Sequence, residues 1–453
     1  MQQNKNLALF VLCLSSFLVP FMGSALNLAL PQISGEFKMN AVSLSWISTI
    51  YLISTAVFQV PFARLADMYG RKKIYISGVS LFVISSLACG LASTGTQLIT
   101  LRLVAGLGSA MQFGTSMAIL MSIFPKNERG KALGINTSVV YFALASGPFF
   151  GGLLTHYWGW RSLFFVCAFL GLMVVAFAFY FLRGEWVESK GEKFDFTGSF
   201  VYALGLFCLI FGFSKLPDWT AMLMILIGLL SFVFFVLHER RCAYPVFNVA
   251  IFSGNRVFGL SSFSALINYA ATSAVAFMMS LYLQYVRGYD AQSAGFILIA
   301  QAIIQSAVSL YAGRLSDRVS ASMLATMGMG IIVFGLSGLF FITTTTPMLV
   351  IIALLMLLGL GFGLFSSPNT NVIMSSVDKK FYGQASATTG TMRLTGQAFS
   401  MGIAMMAIAL QLGDKAIKPE VYPQFMKSMN ITFGVCAILC LVGTYASSFR
   451  VRR

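Results

Sequence analysis

Two arginines sit where the surrounding residues read as hydrocarbon-embedded: Arg102 falls inside the apolar run 97–124 and Arg393 inside 384–411. A cation at such depth is costly and, where kept, faces a partner, a water-filled cavity or a substrate path. The acids are placed differently. Asp67, Glu128, Glu185, Glu188, Glu192, Asp195, Glu239, Asp317 and Asp378 fall in or beside one set of loops, and Glu36, Asp218, Asp290, Asp414 and Glu420 in the other. None of the 14 carboxylates lies mid-run. An interior so charged can pair with anions or dipoles but offers no counter-ion to a permanent cation. Arg102 is expected to be the main buried charge, with bracing against carbonyls as its plainer alternative. Arg393 reads as structural or gate-related.

Other chemistries are not supported. His156 and His238 sit near loops, so the runs contain no clustered His, Asp or Glu constellation. No GxxxxGK[ST] phosphate loop occurs, which removes ATP as a driving force. The seven cysteines are scattered along the chain without a CxxC or Cys/His cluster, so neither a disulfide framework nor a metal site is expected. Catalytic residues, a resident cofactor and an enzyme activity are all unexpected.

The elements that must position these residues are membrane spans. The 453 residues are 58% hydrophobic and 10% charged, with 43 Phe and 24 Met, where a soluble domain devotes about a quarter to charge. Crossing hydrocarbon takes about 20 apolar residues in a helix, because every backbone polar group must be satisfied within the segment. Runs of that kind lie near 7–30, 42–63, 74–94, 97–124, 132–155, 162–182, 195–214, 220–237, 257–285, 292–312, 321–342, 347–367, 384–411 and 428–448. The fold class is therefore all-α integral membrane, with about fourteen spans. The first run lacks a small-residue cleavage site and reads as a retained helix. Lys and Arg alternate between loop sets with a roughly threefold bias, which predicts that both termini are cytoplasmic. The net charge of +16 arises from these short loop clusters and not from a nucleic-acid-binding face.

A repeat is visible. Ala63-Arg64-Leu65-Ala66-Asp67 follows the second span, and Gly313-Arg314-Leu315-Ser316-Asp317-Arg318 follows the tenth. Equivalent positions require two six-helix bundles with a two-helix insertion, expected at 1–182, 251–453 and 183–250. Paired bundles around a midplane site are the usual construction of alternating-access carriers.

Five motifs carry a resemblance to the major facilitator superfamily, and within it to the fourteen-helix drug:proton antiporter branch. Ala63 to Lys73 resembles the loop pattern G-x-L-x-D-x-x-G-R-K, with Ala63 for the first Gly; the resemblance implies a charge latch of Asp67, Gly70 and Arg71, echoed by Arg314 and Asp317. Leu101-Arg102 with Gly106 and Gly108 resembles the fourth-helix motif, with Ala105 for its Gln. Gly134, Ala143, Gly147, Pro148, Gly151 and Gly152 resemble the fifth-helix antiporter motif, a small-residue stripe that permits close helix contact. Trp158 to Arg161 with Phe164 and Phe165 resembles the entry to helix six, and Phe194-Asp195-Phe196-Thr197-Gly198 the opening of helix seven.

The resemblance implies a multi-pass cytoplasmic-membrane exporter of lipophilic small molecules and drugs, with the bilayer and a small molecule as partners and proton exchange as one option. In the first span, however, the branch's acid is replaced by Met22. Without a mid-membrane carboxylate, neutral or anionic substrates are expected, and an uncoupled facilitator or a single-metabolite exporter are the alternatives. Polar positions on otherwise apolar spans nominate a cavity wall: Asn27, Tyr51, Gln59 and Gln112 in the first half, Asn268, Tyr269, Gln301 and Gln305 in the second.

Overall fold

The computed structural model describes residues 4–125, 128–215, 219–247, 249, 252, 254–316, 319–377, 382–413 and 415–448. Fourteen long helices follow one another among them: α1 (Lys5–Phe37), α2 (Ala41–Tyr69), α3 (Arg71–Gly90), α4 (Gly95–Ile123), α5 (Arg129–Trp158), α6 (Arg161–Phe181), α7 (Phe196–Lys215), α8 (Trp219–Glu239), α9 (Arg256–Leu281), α10 (Ala291–Leu315), α11 (Ala321–Phe340), α12 (Met348–Ser375), α13 (Tyr382–Leu412) and α14 (Tyr422–Ser448). Thirteen are individually long and apolar enough to cross a membrane. The remaining one, α5, qualifies when Ser138–Leu144 and Ser146–Trp158, which meet at 40°, count as one span.

Helices outrun the apolar runs that announce them. Where 7–30 is apolar, α1 continues from Asn4, whose side chain accepts from the Asn6 and Leu7 amides, to Lys38 at φ 50°. Hydrophobicity marks the hydrocarbon layer, whereas caps mark the helix end. The α2–α3 reversal needs a single residue, Gly70, at φ 118°, which a side chain would strain.

The two halves pack alike. In the first, α1 lies on α5, α2 on α4, α3 on α4, and α3 on α6; in the second, α9 lies on α13, α10 on α12, α11 on α12, and α11 on α14. Small residues set the closest approaches at matched places. Gly78 faces Gly108 between α3 and α4, and Gly328 faces Gly361 between α11 and α12. Each is a backbone contact that any Cβ would block. The halves meet along two seams, α5 against α10 and α2 against α13. Between sequence halves, α7 and α8 form a hairpin, with α7 against α13 and α2. Leu226, Leu229, Leu230, Val233 and Leu237 of α8 are exposed, as lipid contact requires.

Candidate functional site: a cavity between the halves

Loops after the even-numbered helices carry most of the basic residues, and we call their side the basic end. A vestibule of about 670 Å³ reaches from that end, past Asp67 and Arg71, to Phe113, Val140, Tyr269 and Arg393. Those last four residues also border a deeper chamber of about 180 Å³. The two spaces form one path along the seam between the halves.

At the opposite end the halves close on one another. Pro148 of α5 has no N–H for the Leu144 carbonyl, and the Ser24 hydroxyl of α1 donates to that carbonyl instead at 3.0 Å. The bend is thereby satisfied by the neighbouring helix. Gly147 and Gly151 let α5 close on Ser24 and Ala25 of α1. Gly152 abuts the Ala291 carbonyl of α10, and Gly295 abuts the Pro148 carbonyl. The Ser280 hydroxyl of α9 donates to the Asn27 carbonyl at 2.7 Å, and His156 meets Asp290 at 2.9 Å. Gly147, Pro148, Gly151 and Gly152 of the helix-five motif thus lie in the closed seam, and of these four only Pro148 also touches the chamber.

The chamber holds most of the nominated residues: Asn27, Tyr51, Arg102, Tyr269, Gln301 and Gln305 line it, while Gln59 lines the vestibule. Two nominations are corrected. The Gln112 amide donates to the Ser15 carbonyl and pins α4 to α1 away from the path. Asn268 is wholly buried, neither amide atom has a protein partner, and it belongs to neither wall. Polarity on a span signals a cavity or a helix-to-helix bond equally well.

Arg102 lines the chamber and also braces two helices. It is 1% exposed, its Nε donates to the Ile47 carbonyl at 3.2 Å, and its guanidinium lies 4.0 Å over the Tyr51 ring. The Tyr51 hydroxyl in turn shares a hydrogen with Ser109 Oγ at 2.8 Å. Ser109 thereby ties Tyr51 of α2 to α4. Arg393 is less constrained: it borders both spaces, with its guanidinium 5.3 Å from the Phe113 ring centre. Neither arginine belongs to a salt bridge among the described residues, and no Asp or Glu lines the chamber. Arg393 thus lies where the vestibule meets the chamber, at a depth in its apolar run comparable to that of Arg102.

Beside Gln59, the vestibule wall carries two polar residues outside the expected set, Asn136 and Thr391. Gln59 Oε1, Asn136 Oδ1 and Thr391 Oγ1 are buried without a protein partner, and all three residues line the vestibule. Unpaired buried acceptors and hydroxyls are expensive, and three of them gather beside the vestibule.

The loop motif at the basic end is tied down on its own half. Arg71 bridges Asp67 and Glu188, each at 2.7 Å, and donates to Ser122 Oγ at 2.7 Å. The Asp67 carbonyl accepts the Glu188 and Ser189 amides, and Arg64 pairs with Glu192. The segment between α6 and α7 is thus clamped under α2 and α3. For the second copy of the motif, Asp317 and the Arg314 side chain lie outside the described residues.

Comparison with known proteins accords with this geometry. A riboflavin transporter, RibZ, of Clostridioides difficile is 26% identical over all of this chain and 98% of its own. The multidrug resistance protein Stp of Mycobacterium tuberculosis is 29% identical over 91% of this chain and 77% of its own. A bacterial homologue of the human lysosomal transporter Spinster, crystallised inward-facing and unoccupied, superposes with a TM-score of 0.70 over 99% of this chain and 97% of that one, at 15% identity. The profile of the Major Facilitator Superfamily matches residues 12–401, and with fourteen helices in two like-packed halves around a central cavity, the chain belongs to that superfamily.

Proposed function

We propose that the chain exports neutral or anionic lipophilic small molecules across the cytoplasmic membrane by alternating access. The carrying observation is the charge of the deep path: Arg102 and Arg393 line it and no carboxylate does. Such a wall attracts anions and carbonyl or phenol dipoles and repels a quaternary cation. Phe113, Phe362 and Met401 supply the apolar surface that a lipophilic body needs. In this reading the units 1–182 and 251–453 rock about the α5–α10 seam, the hairpin in 183–250 rides between them, and the basic end faces the cytoplasm. The clamp of Asp67, Gly70 and Arg71, with Arg314 and Asp317 as its counterpart, governs the cytoplasmic gate.

The alternative of one endogenous substrate draws on the relative named for riboflavin, which matches end to end. Riboflavin and an anionic dye are accordingly the first compounds to test. In proteoliposomes with an imposed pH gradient, transport of these compounds is expected, and a protonophore reports whether protons are exchanged. Vigorous protonophore-sensitive transport of a quaternary ammonium compound would overturn the charge assignment.

A further inference from the structure

At the basic end of the α7–α8 hairpin, residues 43 apart in sequence converge: His238 Nε2 lies 3.0 and 3.1 Å from the two carboxylate oxygens of Asp195. The Cys242 thiol joins them, and one donor atom from each of the three residues lies within 4.8 Å of the others. Glu239 stands alongside. It is 4% exposed, its Oε2 accepts the Phe247 amide at 3.2 Å, and its Oε1 has no protein partner. A Cβ on Gly198 would collide with both Asp195 Oδ2 and Glu239 Oε1, so glycine at 198 is what lets two carboxylates share that space.

Two neighbouring carboxylates are stabilised either by a proton on one of them or by a cation between them. His238 supplies one proton at most, and no Lys or Arg salt bridge reaches either acid among the described residues. Imidazole, thiolate and carboxylate are the zinc donor set. Tetrahedral zinc, with bonds of about 2.0–2.3 Å, spaces nitrogen and oxygen ligands about 3.3 Å apart. The His238–Asp195 separation needs only a few tenths of an ångström of expansion to match. Cys242 follows α8 by three residues, its amide donating to the His238 carbonyl at 3.0 Å.

We propose that Asp195, His238 and Cys242, with Glu239 beside them as fourth donor or acceptor for a bound water, form a divalent-metal site of the zinc type. Its consequence is positional. Residues 243–247 line the vestibule directly after Cys242, so metal pins that wall to the hairpin.

The test uses the purified full-length chain in detergent, freed of metal with chelator, and Co²⁺ as spectroscopic probe. One equivalent is expected to produce a thiolate-to-cobalt charge-transfer band and intense tetrahedral d–d absorption, both abolished by Zn²⁺. Cys242→Ser should remove the charge-transfer band, and Glu239→Gln should weaken affinity about tenfold. The other six cysteines are buried, so the band reports Cys242. Absence of the band in the unsubstituted chain, or its persistence in Cys242→Ser, overturns the site. Should Cys242→Ser not fold, His238→Gln must reduce the d–d intensity and the affinity, and unchanged values refute the proposal. Metal binding is read without transport, so the outcome is independent of the exported substrate.

Discussion

The two ends of the central path solve opposite problems. At the closed end, α5 and α10 touch backbone to backbone through Gly152 against Ala291 and Gly295 against Pro148. At the basic end, the vestibule keeps buried oxygens of Gln59, Asn136 and Thr391 without protein partners. Glycine contacts gain dispersion at a distance no side chain permits, and they are dry. Unpaired oxygens lose energy until a polar group arrives. The contrast is between a close-fitting, dry seam and a wall with unpaired oxygens, the inequality that the proposed rocking about α5 and α10 would use.

The sharpest way to break the contrast is to thicken the pivot. A Cβ on Gly152 would lie 2.5 Å from the Ala291 carbonyl oxygen, and backbone cannot yield as a flexible side chain can. Gly152→Val is expected to cost about 1–3 kcal/mol through overpacking and to abolish most transport, read as initial rate in proteoliposomes beside a thermal melt. Normal transport would refute the seam as pivot.

Removing charge from the wall comes next. Arg393→Ala should weaken anionic substrates by the worth of one charge-assisted hydrogen bond, about 1.5–3 kcal/mol or roughly ten- to a hundredfold. Neutral substrates should change little, and Arg393→Lys should restore part of the loss. Equal effects on both classes would remove Arg393 from recognition.

A smaller effect sharpens the vestibule side. Thr391→Val removes an unpartnered buried hydroxyl while keeping its shape, so resting stability should hold or rise by up to about 1 kcal/mol. Affinity for a polar substrate should fall a few-fold in a binding titration. A marked drop in stability would mean that the hydroxyl is not an orphan.

The least effect is expected at His156–Asp290, which bridges the halves at the closed end. Hydrogen bonds from Ser293, its hydroxyl first, hold the Asp290 carboxyl below the usual carboxylate range. Its contribution is therefore full above the ordinary carboxylate pKa and lost as pH falls through the depressed value. Both side chains are substantially exposed, 38% and 44%, so the pair is worth about 0.2–1 kcal/mol. Asp290→Asn should raise labelling of a cysteine placed in the chamber from the closed end by no more than a few-fold, and should flatten its change below pH 4. A larger change would make this contact the gate itself.

Much of this was readable without coordinates. Span number and order follow from hydrocarbon thickness, and Arg102 and Arg393 declare themselves by depth. The wall was readable only in part. Tyr51, Gln301 and Gln305 face the chamber, but Gln112 turns to Ser15 and Asn268 is sealed among helices. A polar residue on a span has one helical face, and which neighbour covers that face is not a local property. Asn136 escaped notice because one amide among apolar residues resembles any helix-to-helix bond.

What the residues decide alone is whatever depends on one segment and its solvent: fourteen helices, their alternation through the bilayer, the turn at Gly70, and an interior with cations but no carboxylate. These follow from transfer energies and backbone sterics, which act within about 20 residues. Only tertiary structure decides which seam is dry, which oxygens go unpaired, and that Asp195 meets His238 and Cys242, more than 40 residues on. Such outcomes rest on contacts between helices, where a rotation of a few tens of degrees exchanges one neighbour for another at little cost to either helix.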